Sequence, residues 1–178
     1  MNREKMKYDL VIVGAGPAGL SAAIEFRKLC QKNNLNFSVC LLEKGSQVGS
    51  HILSGAVLET RALDELIPDW KEKNSPIQTK VNDEKFLFLT KKNSFRFPNF
   101  LLPKVMHNKE NYIISLGNLC IWLAEQAEKL GVEIYPGFSA SEILLDENKN
   151  VYGIVTGDHG VLMNGEKGPN YQQGIEIL

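Results

Sequence analysis

Asp9-Leu-Val-Ile-Val-Gly14-Ala-Gly16-Pro-Ala-Gly19-Leu-Ser-Ala-Ala23 runs an apolar strand straight into a Gly-x-Gly-x-x-Gly turn and on into a helix whose first residues are small. That order suits a bound pyrophosphate. Gly14 permits the tight strand-to-helix turn, Gly16 lets the backbone approach the phosphates, and Gly19 lets the helix lie close on the strand. The helix N-terminus then offers unpaired N–H groups and a positive dipole end to an anion. Glycines of this spacing also serve plain turns, so the strand before them and the helix after them carry the reading. Pro17 opens the helix at a position where its missing N–H costs nothing, and Leu20, Ala23, Ile24 and the stem of Arg27 form its expected core side.

Working downstream, Ser38-Val-Cys-Leu-Leu-Glu43 reads as a second buried parallel strand ending in a carboxylate, 24 residues beyond Gly19. An acid at about this spacing, roughly 20 residues on, can accept hydrogen bonds from the adenosine ribose. Its charge would repel a 2′-phosphate, which argues against NADP. The alternative is a solvated Glu at a strand end. Beyond it, Lys44 to Ala56 is too rich in glycine and serine for a regular element and reads as a loop that either passes along a cofactor or merely connects.

Further on, Glu59 to Leu66 reads as a short helix stopped by Pro68, and Val81 to Thr90 as the start of a strand-like region. Leu116, Leu119, Cys120, Leu123, Ala127 and Leu130 follow a helical rhythm capped by Gly131. Val132 to Tyr135, Ser139 to Leu145 and Val151 to Thr156 read as strands, the last two joined by a turn at Asp146–Asn150. The doubly wound sheet has only its first β-α-β half-turn in this reading. With an apolar run at Gly174–Leu178, that leads to the expectation of a truncated chain.

The composition is 178 residues, 43% hydrophobic, with a formal net charge of −1. It suits a globular chain and not a strongly basic nucleic-acid binder, and no run approaches 18 apolar residues. The short N-terminal lead into the first strand implies a cytoplasmic, prokaryotic setting unless a leader has been removed. Cys30, Cys40 and Cys120 are far apart and cannot alone hold an iron–sulfur cluster, which takes four ligands in the usual case. Cys40 and Cys120 read as small buried hydrophobes. His51, His107 and His159 show no metal-ligand spacing, and no residue stands out as acid, base or nucleophile, so neither catalytic nor metal residues are expected.

From Phe86 to Lys109 there is no acidic residue, while Phe95, Phe97, Phe100, Leu101 and Leu102 crowd around Pro98 and Pro103. Lys85, Lys91, Lys92, Arg96, Lys104 and Lys109 flank or interleave with them. The prolines exclude a long helix. Two readings remain open: a hairpin or loop laying an apolar tip on a bilayer beneath a basic collar, or a core strand pair with Phe95 and Phe97 alternating inward.

With these residues assembled, the chain resembles the N-terminal region of the electron-transfer flavoprotein:ubiquinone oxidoreductase family over nearly its whole length. The segments that carry the resemblance are Glu43–Ala56, Pro68-Asp-Trp70-Lys-Glu-Lys, Asn111-Tyr-Ile-Ile-Ser-Leu-Gly117 and Trp122–Gly137, in the family's order. Glu110 departs from it, since Gly is expected before Asn111. The resemblance implies an α/β flavoprotein, with a split Rossmann-like FAD-binding domain (1–80 and 114–178) interrupted at 81–113 by the start of a mixed α/β quinone- and membrane-binding domain. FAD would lie with its pyrophosphate on Gly14, Gly16, Pro17, Ala18 and Gly19, its ribose by Glu43 and Lys44, and its flavin near the loop of His51, Leu53, Ser54 and Gly55. The membrane- or quinone-facing set would be Phe95, Phe97, Pro98, Phe100, Leu101 and Leu102. The family takes electrons from electron-transfer flavoprotein and passes them through a [4Fe-4S] cluster and FAD to ubiquinone. It sits peripherally on the cytoplasmic face of a prokaryotic inner membrane or on the mitochondrial inner membrane. Rival readings are an FAD-dependent reductase or hydroxylase using NAD(P)H on an isoprenoid or aromatic substrate, and an inactive fragment.

Overall fold

The computed structural model describes residues 3–53 and 55–178, and the chain divides into two compact units, residues up to 52 with 120–178, and 53–119. The boundary on the C-terminal side falls inside a helix.

The first unit begins with β1 (Lys5–Met6), β2 (Leu10–Val13), α1 (Pro17–Lys32) and β3 (Val39–Glu43). Val39 to Leu42 are all buried, as parallel strands covered on both faces should be. Their alternation splits the burial between two layers. Cys40 and Leu42 join Ile154, Ile177 and the rings of Tyr8, Tyr135 and Phe138 on one side. Val39 and Leu41 face the other way, and α1 packs on this sheet through Leu20, Ala23 and Ile24.

In the second unit follow β4 (Ala56–Leu58), α2 (Arg61–Leu66), β5 (Thr79–Lys80), β6 (Phe86–Leu89), β7 (Ser94–Phe97), two single-turn 3₁₀ helices at Asn99–Leu101 and Lys104–Met106, and β8 (Tyr112–Ile114). An antiparallel sheet of order β4-β8-β5 is held by Trp70, which is buried edge-on against Tyr112 and donates its indole N–H to Asp64 at 2.6 Å. Pro98 and Pro103 precede the two 3₁₀ turns, so the expected absence of a long helix here holds. At Glu110 the backbone takes φ +76°, the left-handed conformation that a glycine would adopt without strain.

The chain then runs through α3 (Leu116–Lys129), β9 (Val132–Pro136), β10 (Ala140–Leu145), β11 (Val151–Thr156), β12 (His159–Val161), β13 (Lys167–Gln172) and β14 (Glu176–Ile177). β9 corrects the expected half-turn: it pairs in parallel with β3, from Val39 opposite Val132 to Glu43 opposite Pro136, giving a parallel sheet of order β2-β3-β9. Arg27 explains part of the closure. Its guanidinium donates to the Leu130 carbonyl past the end of α3 and to the Phe37 carbonyl ahead of β3, tying α3 and β3 back to α1. The second layer is a sheet of order β1-β14-β11-β10.

Candidate functional site

The carboxyl ends of β2 and β3 lie side by side, since Val13 pairs with Leu42 and the Gly14 N–H donates to the Leu42 carbonyl at 2.7 Å. In open α/β sheets the ligand crevice lies just outside such ends. Gly14 sits at φ +100°, which pays no steric penalty only as glycine. Gly19 is there for a different reason. A Cβ added to it would meet the Gly14 carbonyl oxygen at 2.1 Å, so α1 can approach the turn only with hydrogen at that position. Around Gly16, by contrast, no atom beyond the adjoining residues lies within 4 Å of where a Cβ would be, so the space is open on the side a phosphate would occupy. No side chain caps α1 and no acid lies in its first turn, which leaves the amides at its start to an anionic ligand.

Glu43 is held in place before any ligand arrives. One carboxylate oxygen accepts the Ala15 N–H at 3.0 Å and the other accepts the Gly45 N–H at 2.7 Å. Gly45 is packed closely, because a Cβ there would stand 3.1 Å from the Glu43 carboxylate and 2.5 Å from the Ser50 hydroxyl, so both side chains would have to shift. Each carboxylate oxygen keeps a lone pair for a hydroxyl donor. A cavity of about 190 Å³ adjoins it, lined by Val13, Gly14, Leu42, Glu43, Lys44, Phe138, Ser139 and Ala140. That is below the roughly 300–1,000 Å³ of whole-ligand pockets. It therefore suits one end of an extended ligand. A larger cavity of about 260 Å³, between the Ser46–Val48 loop, α3 and β9, contains no residue of the glycine turn and neither Glu43 nor Lys44. Position rather than size decides between them.

The structure thus brings together Gly14, Gly16, Gly19, Glu43 and Lys44, with Pro17 and Ala18 exposed at the start of α1. Phe138, Ser139 and Ala140 join this group without having been expected, because their approach depends on how β9 and β10 fold back, and Gly45 joins it through its N–H on the Glu43 carboxylate. His51 lies exposed in a turn of the first unit. In the second unit Leu53 is 92% exposed and Gly55 takes φ +91°. Ser54 lies outside the described residues.

Cys40 and Cys120 are fully buried, and burial pushes their thiols up to about 12 and about 11, so neither is a nucleophile. Cys30 is buried as well. Among the described residues no group of His, Cys, Asp and Glu could hold a metal ion, and three dispersed cysteines do not fit an iron–sulfur cluster. Tyr8 and Tyr135 both donate to Glu133, at 2.6 and 2.7 Å, in a satisfied cluster outside the cavity that reads as structural.

The expected apolar segment is a hairpin, β6 paired with β7, but its tip is not apolar. The turn is Thr90-Lys91-Lys92-Asn93, closed by the Thr90 N–H on the Asn93 carbonyl at 2.8 Å, and the aromatic residues lie along the strands. Phe95, Phe97, Pro98, Phe100 and Leu101 are all exposed, Phe100 by 83%, and Leu102 is half-buried. The base of this segment is latched by Glu84, whose carboxylate receives the Asn108 N–H and the His107 ring and whose carbonyl receives the Asn99 amide. Among the described residues no helix is long and apolar enough to cross a membrane.

Comparison with known proteins agrees with this geometry. Residues 12–67 match the NAD(P)-binding Rossmann-like domain family. The chain is 57% identical over 179 residues to the electron transfer flavoprotein-ubiquinone oxidoreductase of Pseudomonas aeruginosa, a match that covers 99% of this chain and 32% of that protein. It is 53% identical to the mitochondrial protein of the same name from Dictyostelium discoideum (98% and 28% covered) and 48% identical to that of Bos taurus (99% and 28%). The chain therefore spans about a third of the length of these relatives. A geranylgeranyl bacteriochlorophyll reductase-like protein of Thermoplasma acidophilum shares its fold at a TM-score of 0.63 and 19% identity, over 97% of this chain and 37% of that one. A flavoprotein/dehydrogenase of Cytophaga hutchinsonii does so at 0.56 and 23%, over 97% and 38%.

Proposed function

The chain belongs to the electron transfer flavoprotein-ubiquinone oxidoreductase family, and on that premise we propose that it binds FAD and serves electron transfer from electron-transfer flavoprotein to ubiquinone. The observation that carries the cofactor is the junction of the glycine turn with Glu43. Gly14, Gly16 and the first amides of α1 would hold the pyrophosphate, with Gly19 keeping the helix close and Pro17 and Ala18 at its start. Glu43, aimed by Ala15 and Gly45, would accept the ribose hydroxyls, with Lys44 and Phe138 lining the same cavity. Bound FAD would supply the capacity to take up and release electrons singly. This chain's residues would bind and orient it, as suits a protein whose chemistry belongs to its cofactor.

His51, Leu53, Ser54 and Gly55 are assigned to the flavin side of the cofactor by resemblance. Residues 81–113, all within the second unit, are assigned to the quinone- and membrane-facing surface, with Phe95, Phe97, Pro98, Phe100, Leu101 and Leu102 as its apolar part. The exposure of all of these but Leu102 supports this reading over the core alternative. The proposed setting is peripheral, on a bacterial inner membrane or its mitochondrial counterpart. The [4Fe-4S] cluster of the family has no ligand set in this chain.

Equilibrium dialysis of the purified chain against FAD and against NADP tests the cofactor assignment. FAD should be retained and NADP should not, because the Glu43 carboxylate would face the 2′-phosphate. Retention of NADP with no retention of FAD overturns it.

A further inference from the structure

α3 carries two stripes, and folding explains only one of them. Leu119, Cys120, Leu123 and Ala127 are buried as its core side. Ile121, Ala124, Glu125 and Glu128 recur at i, i+3, i+4 and i+7, which sets them on one further face of the helix. Ala124 is buried, but Ile121 is 44% exposed and both glutamates are exposed. Glu128 lies in the last turn of α3, where the negative end of the helix dipole disfavours an acid. Helix stability therefore does not account for it. Among the described residues neither Glu125 nor Glu128 takes part in an ion pair.

This second stripe forms one wall of the cavity of about 260 Å³ that lies apart from the glycine turn, and the opposite wall is made by Ile134 and Pro136 of β9 with Val48 of the neighbouring loop. Among the described residues lining it, only the two glutamates are charged. The groove is thus an apolar floor with an acidic rim.

β9 is also the end of its sheet. The order β2-β3-β9 puts β3 on one side of it and, among the described residues, no strand on the other. Such an edge presents a row of N–H and C=O groups that another strand can pair with. Pro136 cannot donate, so the pairing edge is 132–135 and an added strand would be short. Side chains alternate across a strand, so every second one of the newcomer would stand on the α3 side of the sheet, with Ile134 and Pro136. An apolar side chain there would cover Ile121 and Ile134. A lysine or arginine there would meet Glu125 and Glu128.

We propose that the free edge of β9 and the groove beside it dock an extended segment of a partner protein, added as a fourth strand to the sheet, whose α3-facing side chains are apolar and basic. Main-chain pairing would supply the attachment, and the groove with its two carboxylates would select the side chains. The surface is separate from the cofactor cavity, so the proposal is independent of the FAD assignment.

The test is fluorescence anisotropy of a labelled octapeptide in which threonine alternates with valine and lysine, set against the same peptide with glutamate in place of lysine. The lysine peptide should bind at least about tenfold more tightly and lose this advantage in salt, since each exposed charge pair is worth up to about fivefold. In E125K/E128K, changed only at exposed positions, the preference should reverse while the melting temperature stays at or above the parental value. Hydrogen exchange should show new protection at 132–135 when the lysine peptide binds, and N-methylation of the peptide backbone should abolish binding. Equal affinity for the two peptides, or an unchanged preference in the double variant, overturns the partner chemistry. Binding that survives N-methylation overturns the edge pairing, and binding of neither peptide overturns the docking surface. Self-association of the chain that blocks the peptide would make the occupant a second copy and overturn the assignment to a partner protein.

Discussion

The backbone N–H of Ala15 donates to the Glu43 carboxylate at 3.0 Å, joining the middle of the glycine turn to the end of the neighbouring strand. The acid that would read the ribose is thereby fixed to the loop that would hold the phosphates. Binding energy is then not spent on ordering that side chain. Glu43→Gln keeps the shape but replaces a charged acceptor with a neutral amide. FAD affinity should fall by about 1.5–3 kcal/mol, the loss typical of a hydrogen bond to a charged group. A fluorescence titration with FAD measures it, and an unchanged dissociation constant counts against the ribose role.

Gly19→Ala should act on the fold before it acts on the ligand. The new Cβ would stand 2.1 Å from the Gly14 carbonyl oxygen, a backbone atom that cannot swing aside. Overpacking of this kind costs about 3 kcal/mol at its upper end, so the urea midpoint should drop clearly. A variant that unfolds like the parent would show that α1 does not lie as close to the turn as described.

Glu110 occupies left-handed backbone at φ +76° without being glycine. Its carboxylate pairs with Lys80 at the surface, where such pairs add little. Glu110→Gly should remove more strain than it loses in attraction and raise the melting temperature by about 2–4 °C. A lower melting temperature would mean that the ion pair outweighs the backbone cost.

The Glu84–His107 latch gives the base of the hairpin segment a pH dependence. The Glu84 carboxylate raises His107 above its ordinary 6.5, and the Asn108 N–H, with His107, lowers Glu84 below its ordinary 4.5. The histidine's contribution is complete below 6.5 and fades as pH rises through its elevated value. The glutamate's is complete above 4.5 and fades as pH falls through its depressed value. Protection of residues 99–108 against hydrogen exchange, corrected for intrinsic rates, should therefore peak between about pH 4.5 and 6.5. His107→Gln should flatten the alkaline side of that profile, and an unchanged profile in this variant would remove the latch.

The exposed apolar residues of 95–101 should matter little to stability and much to membrane association. Phe97, Phe100 and Leu101 are exposed, so changing all three to Ser should leave the melting temperature nearly unchanged. The same variant should release the protein from lipid vesicles. Unfolding of the triple variant would return these residues to a core.

Local order carried the parts of the fold that were legible. β2, the glycine turn, α1 and β3 follow one another with patterns that each stand alone, and Leu119, Cys120, Leu123 and Ala127 are buried as the helical rhythm of α3 implies. What could not be read depends on partners far along the chain. Nothing in Val132–Pro136 says that it pairs with β3, and the Arg27 contacts reach 103 residues to Leu130. The clamp of Gly45 on Glu43 needed a rotamer, not a motif. The aromatic content of 86–97 was plain, yet the register that sorts Phe and Leu onto opposite faces and sets Lys91 and Lys92 in the turn emerges only when the strands pair. Glu110 is the opposite case: its departure from an expected glycine flagged the position, and the backbone there is the one glycine prefers.

The most direct measurement is the flavin content and melting temperature of Gly16→Val, set beside the parent after saturation with FAD and removal of excess ligand. No atom beyond the adjoining residues lies within 4 Å of the added Cβ and the Gly16 backbone is extended, at φ −81° and ψ 178°, so valine should fold there with little penalty. It would, however, fill the space where the backbone must meet a pyrophosphate. The account predicts a variant that melts close to the parent and retains almost no FAD. Parental levels of bound FAD in the folded variant would contradict it.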